Sequence, residues 1–368
     1  MESDVHKAGR LRAQVRQTLA GRNAGRQAEN KQEQTGRSMA RVATNKTLQQ
    51  AKKSKSDEFY TVLSDIEKEL KHYKKHLEGK VVFCNCDDPR TSNFFHFFSY
   101  NFEKLKLNKL ITTCYKSQSM DLFSKHDKEQ AIYLEYEGDK NANKVPDPNE
   151  IGIKNLEGDG DFRSQECVDL LMKSDVVITN PPFSLFREYV AQLIEHDKKF
   201  LIVGTWNAIT YKEIFKLIKE NKIWIGINSN RNFSGFIVPE HYPLHGTEAR
   251  LDEFGNRIIS SNNTCWFTNL DNSKRHEELV LYRDYDEKSF PRYDNYDAIE
   301  VSKTNDIPRG YRGLMGVPIT FMNKYNPQQF EVVGIDRVLV EEKTGKVSRF
   351  LIDGKEIYAR IVIRNRKP

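Results

Sequence analysis

Apolar residues change their spacing several times along the chain, and each change marks an element. In "DEFYTVLSDIEKELKHYKKHL", Val62, Ile66, Leu70 and Tyr73 recur three and four residues apart, which predicts an amphipathic helix with one buried face. "KVVFCNC" (80–86) is an unbroken apolar run of strand length, as expected of a strand covered on both sides. "TSNFFHFFSYNFEKL" returns to a helical period and offers Thr91 or Ser92 as its N-cap. "KLITTCY" (109–115) predicts a second strand, and "IYLEYEGDKNANKVPDPNEIGI" a strand followed by a polar insertion that Pro146 and Pro148 interrupt. Helix and strand then alternate through "DFRSQECVDLLMKS", "DVVITN", "LFREYVAQLIEHD", "KFLIVGT", "YKEIFKLIKENK" and "IWIGI". Such alternation predicts parallel strands with helices on both faces, an α/β fold.

Beyond about residue 228 the pattern shortens. Turns such as "EFGN", "SSNN" and "DGKE" separate short runs, "NTCWFTNL" and "YARIVIRN" among them, and predict mixed hairpins and loops appended to the sheet.

Composition refines this picture in four places. With 368 residues, 21 Phe and 16 Tyr, the chain can build a large core plus a smaller one. No apolar stretch approaches membrane-spanning length and the N-terminus lacks a secretory core, so a cytoplasmic protein is expected, with no membrane partner. The formal net charge of +6 is uneven: residues 1–55 carry 13 Lys and Arg against 4 Asp and Glu, a balance of +9, which leaves −3 (45 against 48) for the rest. Residues 1–54 are therefore expected to be a basic disordered extension, either attracted to phosphate or simply solvated. The five cysteines form no Cys-x-x-Cys pair and lie in apolar surroundings, and His72 and His76 have lysines between them and no acidic neighbour. Buried inert thiols, a solvated helix and no metal site are the expectation.

The candidate chemistry lies in "SDVVITNPPFSLF", residues 174–186, where a β-branched run meets two prolines. In open α/β sheets ligands bind at the carboxyl ends of the strands, close to the point where strand order reverses. A strand leaving the sheet there needs no backbone donors, so proline is tolerated and stiffens the corner. Such a corner can present the Asn180 amide oxygen and the Pro181 carbonyl as two acceptors, with the Phe183 ring beside them. Two acceptors and a ring suit an amino group on a planar base. They draw both N–H bonds toward tetrahedral geometry, which frees the lone pair for attack.

"TNPPF" after an apolar strand resembles the catalytic motif of S-adenosylmethionine-dependent amino methyltransferases. The fuller set of "KSKSDEFYT", "CNCDDPRTSNFF", "GDGDFRS", "TNPPFSLF", "NKIWIG", "SGFIVPEHY" and "GVPITF" resembles the EcoRI-type adenine-N6 DNA methyltransferases, from about Met39 to the C-terminus. Relatives begin near "MARVATNK", so residues 1–38 are expected to be a lineage-specific extension or the product of an upstream start codon. The resemblance implies a Rossmann-like methyltransferase sheet with helices on both faces and a smaller mixed α+β C-terminal target-recognition region. The implied division is a catalytic domain at 55–270 and a recognition region at 271–368, helped by residues 228–262.

The resemblance also assigns residues. Asn180, Pro181, Pro182 and Phe183 match the catalytic tetrapeptide. Tyr60 and Thr61 would line the methionine end of S-adenosylmethionine, Asp88 and Pro89 would open the cofactor loop, and Asp161 and Phe162 would hold the cofactor's adenine. Competing readings are helix capping for Asp88 and Asp161 and packing on the first strand for Tyr60. Two departures stand out. The loop "DDPRTSNFFHFF" contains no glycine, and "ITTCYKSQ" has no acid where ribose hydroxyls are commonly held, only polar residues such as Tyr115 and Ser117. For DNA, Asn230, Arg231 and Asn232 are types that read base edges, and Arg364 and Arg366 could contact phosphates.

The expected activity is methylation of adenine N6 in a short site of double-stranded DNA, on a flipped-out base, for restriction-modification or DNA protection, by a monomer. RNA guanine-N2 or protein glutamine methylation is the alternative within enzymes. A catalytically silent DNA-binding module is the alternative outside them.

Overall fold

The structure is a computed structural model and describes residues 60–86, 92–113, 131–143, 146, 150–229, 233–238, 249–252, 255–260 and 263–367. Asp88, Pro89, Tyr115, Ser117, Asn230, Arg231, Asn232 and the N-terminal extension lie outside the described residues.

The chain enters through a two-residue strand, β1 (Tyr60–Thr61), and helix α1 (Leu63–Leu70). The predicted helix is thus shorter at its start, because Tyr60 and Thr61 pair with a later strand. It ends at Leu70, and a separate 3-10 turn follows at Lys74–His76, so His72 and His76 do not share an α-helical face. The central sheet has eight strands in the order β5 (Gly152–Asn155), β4 (Ile132–Tyr136), β3 (Lys109–Thr113), β2 (Val81–Cys84), β6 (Val176–Thr179), β7 (Lys199–Thr205), β12 (Thr264–Thr268) and β8 (Trp224–Ser229). Side chains alternate across it. Phe83, Val177, Ile202 and Phe267 face one core with α4 (Gln165–Lys173), α5 (Phe186–Glu195) and α6 (Lys212–Lys219). Val82, Ile178, Val203 and Trp266 face the other with α1, α2 (Asn93–Tyr100) and α3 (Phe102–Leu105). Ser92 caps α2, its hydroxyl accepting from the amides of Phe94 and Phe95 at 3.1 and 3.4 Å.

The parallel sheet expected from the alternation is found only at the centre. β3, β2, β6 and β7 pair in parallel, whereas β4 and β5 close one edge in antiparallel fashion. Those two strands follow one another in the chain across a polar segment, and a direct return of this kind favours antiparallel pairing. "NTCWFTNL" is likewise no appendage. It supplies β12, antiparallel to both β7 and β8 and inserted between them. All five of its residues are buried, as a strand with a core on each face requires.

A four-stranded antiparallel sheet joins β1 to β9 (Phe236–Val238), β11 (Arg257–Ile259) and β10 (Ala249–Leu251). Another four-stranded sheet follows, in the order β14 (Ile299–Glu300), β16 (Met315–Pro318), β20 (Arg360–Asn365) and β17 (Phe330–Ile335), with α7 (Asp336–Thr344) against it. Two short pairs complete the strands: β13 (Arg283–Asp284) with β15 (Pro308–Arg309), and β18 (Leu351–Ile352) with β19 (Lys355–Glu356). Ile299, Met315, Phe330 and Ile361 belong to the same core as Phe215 and Ile218 of α6, so apolar packing continues from the central sheet into the later one. Inside the later sheet the Arg360 guanidinium donates to both Glu300 oxygens at 2.6–3.1 Å, and Tyr293 donates to the same carboxylate at 2.5 Å.

Candidate active site

Strand order reverses between β2 and β6, since the chain goes from β2 to β3 on one side and later returns to β6 on the other. Asn85 leaves β2 and Asn180 leaves β6 at the carboxyl edge of this pair. The two ends are bonded together. The Thr179 hydroxyl donates to the Asn85 carbonyl, and the Tyr189 hydroxyl on α5 donates to the Asn85 amide oxygen. Burial pushes the Tyr189 phenol well above its ordinary value, which keeps it a donor. Asn85, Thr179 and Tyr189 were not singled out from sequence. A polar Asn inside the apolar "FCNC" run was the available signal.

Asn180 is 7 % exposed and its amide oxygen is shielded from solvent. Pro181 is buried, while Pro182 and Phe183 are half-buried. A 3-10 turn, Phe183–Leu185, follows directly and leads into α5, with the Leu185 amide bonded to the Pro182 carbonyl at 3.0 Å. The Phe183 ring packs edge-on against Phe236 of β9, with centroids 5.8 Å apart. Phe236 is in turn the strand partner of Thr61. The structure therefore brings the Tyr60–Thr61 segment and the Asn180–Phe183 corner together through one residue of β9. The Thr61 carbonyl accepts from the Asn93 amide on α2 at 2.6 Å, which joins the start of the Phe-rich helix to the same corner.

Two buried carboxylates on α1 hold this arrangement from behind. Asp65 accepts from the Ser234 amide at 2.6 Å and hydroxyl at 2.8 Å. Glu69 accepts from the amides of Ile227 and Asn228 at 2.8 and 2.6 Å and from the Tyr73 hydroxyl at 3.1 Å. Burial raises both carboxyl groups above their ordinary values, against the opposing effect of those hydrogen bonds.

Asp161 and Phe162 precede α4 on the other side of the sheet. Ser164 caps that helix through the Cys167 amide at 3.3 Å, so capping is not the role of Asp161. The Asp161 carboxylate instead accepts from the Arg163 guanidinium at 2.9 and 2.7 Å, and Arg163 also reaches Glu188 at 2.9 Å. The Phe162 ring sits edge-on to Tyr189 at 5.1 Å, with the Arg163 guanidinium 5.3 Å from its centroid. Phe162 thus adjoins the tyrosine that fixes Asn85. Arg364 and Arg366 lie elsewhere, exposed at the end of β20, with Arg364 3.5 Å from Glu331.

The glycine-free loop begins with a residue in glycine's conformation. Cys86 has φ +70°, a left-handed backbone that non-glycine residues seldom adopt. Thr61 Oγ1, and Thr112 Oγ1 and Thr113 Oγ1 at the end of β3, are buried with no hydrogen-bond partner among the described residues. Buried hydroxyls are ordinarily bonded, so this edge suits a polar, hydroxyl-bearing ligand such as S-adenosylmethionine. Among the described residues no cluster of three or more His, Cys, Asp or Glu side chains could hold a metal ion, and no helix is long and apolar enough to cross a membrane.

A family described as "Adenine-specific methyltransferase EcoRI" matches residues 47–366. The chain is 56 % identical over 327 residues to the Type II methyltransferase M.EcoRI of Escherichia coli, covering 88 % of this chain and 98 % of that protein. It is 36 % identical over 339 residues to a Type II methyltransferase of Mycoplasma genitalium, covering 86 % and 98 %. It is 35 % identical over 333 residues to the Type II methyltransferase M.MpnI of Mycoplasma pneumoniae, covering 86 % and 97 %. No solved structure matches. A mixed α/β sheet with these relatives defines the class: the protein is a methyltransferase that uses S-adenosylmethionine. The chain belongs to the EcoRI family of adenine-specific methyltransferases and acts on adenine in specific DNA sites.

Proposed function

We propose that the Asn180–Phe183 corner carries out the transfer, on the N6 amine of an adenine turned out of the duplex. The observation that carries this reading is the strand-end Asn-Pro-Pro-Phe at the reversal of strand order, joined through Phe236 to the Thr61 strand. Asn180 Oδ1 and the Pro181 carbonyl accept from the two N–H bonds of the amine. This polarises nitrogen toward tetrahedral geometry without a strong base; the new N–C bond would form as the methyl–sulfur bond breaks to leave a neutral thioether, and the surplus proton of the amine would pass to solvent. Preorganised polar groups of this kind are worth about 3 to 4 kcal/mol each in known cases. Extruding a base costs a few kcal/mol. Stacking on Phe183 returns about 1 to 3 kcal/mol, and contacts to DNA supply the remainder.

S-adenosylmethionine supplies a methyl group activated on a sulfonium sulfur. Tyr60 and Thr61 line its methionine end, Asp88 and Pro89 shape the loop, and Asp161 and Phe162 hold its adenine. Arg163 is half-exposed, and an ion pair with one exposed partner is weakly held. Its movement would open both the Asp161 carboxylate and the Phe162 face. The sheet is Rossmann-like in this reading. Residues 55–270 form the catalytic domain, and residues 271–368 with 228–262 form the target-recognition region. There Asn230, Arg231 and Asn232 read bases, while Arg364 and Arg366 meet phosphates. Residues 1–54 add phosphate attraction. A cytoplasmic monomer acting in restriction-modification completes the proposal.

The test is product mapping. The full chain is incubated with methyl-tritiated S-adenosylmethionine and, in parallel, duplex DNA, RNA and protein substrates, and the nucleic acids are digested to nucleosides. Label in N6-methyladenine is expected. Label confined to RNA guanine or to protein, or none at all, would overturn the reading.

A further inference from the structure

We infer that Phe236 is a positioning residue for the transfer reaction: it sets the attitude of the Phe183 ring on which the target base lies. This rests on the role proposed for Phe183. The two rings meet at 67° with centroids 5.8 Å apart, the edge-to-face geometry that aromatic pairs favour. Phe183 is half-buried on a loop, whereas Phe236 is 4 % exposed and belongs to a paired strand, so Phe236 is the fixed member.

Three independent features fix it. Behind Phe236, Phe233 packs at 5.3 Å, then Trp266 at 6.2 Å and Phe94 at 6.1 Å, a file of rings running from the corner into the core beneath α2. On either side, Phe236 is paired in register with Thr61 and Ile259. Ahead of it in the chain, Ser234 is clamped by Asp65, and Gly235 turns with φ +130°, where a Cβ would strike the Ile259 carbonyl. No other residue would let β9 approach β11 so closely at that point. The assembly carries a rigid reference from α1 and the central sheet out to one loop ring. A shift of that ring would misplace the stacked base relative to Asn180, and small misplacements slow bimolecular chemistry severely.

The test compares six variants of the full chain on two duplexes, one with adenine at the target for kcat and KM and one with 2-aminopurine there for base extrusion. Phe236→Met keeps apolar volume and loses the flat ring. Phe236→Leu serves if the methionine variant does not fold. Val238→Ala truncates a buried neighbour two residues along the same strand, and Asn180→Ala reports on the proposed reaction itself. The expected result for Phe236→Met is a kcat reduced by about tenfold, weakened 2-aminopurine fluorescence and a KM for S-adenosylmethionine within about twofold of the parent. Val238→Ala should keep kcat. Because the two rings act as one unit, Phe183→Leu combined with Phe236→Met should be no slower than Phe183→Leu alone. An inactive Asn180→Ala alongside full kcat and fluorescence in Phe236→Met would overturn this inference and leave the proposed function standing. Equal kcat losses in Val238→Ala and Phe236→Met would also overturn it, since mere loosening of the strand would suffice. An active Asn180→Ala would remove the proposed function and this inference together.

Discussion

Asn180 and Asn85 leave neighbouring parallel strands at the same edge, and the chain spends three side chains, Thr179, Tyr189 and Asn85, on joining the strand ends there. Rigidity at that spot is what a pair of acceptors aimed at one amine requires. Phe183→Ala removes the ring and is expected to weaken base extrusion by about 1 to 3 kcal/mol, read as loss of 2-aminopurine fluorescence at the target. Asp161 belongs to the half of the site proposed for the cofactor. Loss of a charged hydrogen bond costs about 1.5 to 3 kcal/mol, so Asp161→Ala should weaken binding of S-adenosylhomocysteine roughly tenfold or more by calorimetric titration. DNA affinity should stay unchanged. Individual residues were unevenly legible. The tetrapeptide stood out because prolines ending a buried strand are unusual, whereas Asn85 and Phe236 look like ordinary core residues until the strand order brings them beside it.

At the scale of elements, α1 works as a bracket. Its inner face carries Ile66 and Leu70 but also Asp65 and Glu69; Glu69 bonds the backbone of β8, and Asp65 bonds that of Ser234, just before β9. Apolar spacing revealed the helix. It could not reveal that two acids on the helix point inward, because their partners are amides more than a hundred residues away. Non-local pairing also explains the two missed strand assignments. β1 is a strand only because β9 lies next to it, and β12 enters the central sheet although local sequence marks it merely as a hairpin arm. The bracket has a pH signature. Burial raises the folded pKa of Glu69 above its unfolded value of 4.5, so the native state binds that proton more tightly. The stability this contributes is complete below the unfolded pKa and is lost as pH rises through the folded one. Urea unfolding of the parent and of Glu69→Gln should therefore show the parent's advantage largest near about pH 4 and shrinking toward about pH 8. An advantage that grows with pH would contradict the account.

Across the whole molecule, the core passes without a break from the central sheet through α6 into the sheet of β14, β16, β20 and β17. The change of pattern near residue 228 was legible in the sequence, but the shared core was not, since the joining residues are short apolar runs far apart in the chain. The later sheet has its own polar centre. Glu300 is 6 % exposed and Arg360 10 % exposed, and the pair is completed by Tyr293. Glu300→Ala would leave the guanidinium buried without its partner, at a cost of about 3 to 5 kcal/mol. Calorimetry should find melting of the entire chain lowered in a single transition, because the shared core couples the two sheets. A separate early transition would show that they melt independently.

Under the proposed function, this corner activates an adenine amine with fixed acceptors. Single-turnover transfer of tritiated methyl from S-adenosylmethionine to saturating duplex DNA, comparing the parent with Asn180→Ala, tests it most directly. A fall of at least about a hundredfold in the transfer rate is expected, with DNA affinity near that of the parent. A variant that methylates adenine at the parental rate would contradict it.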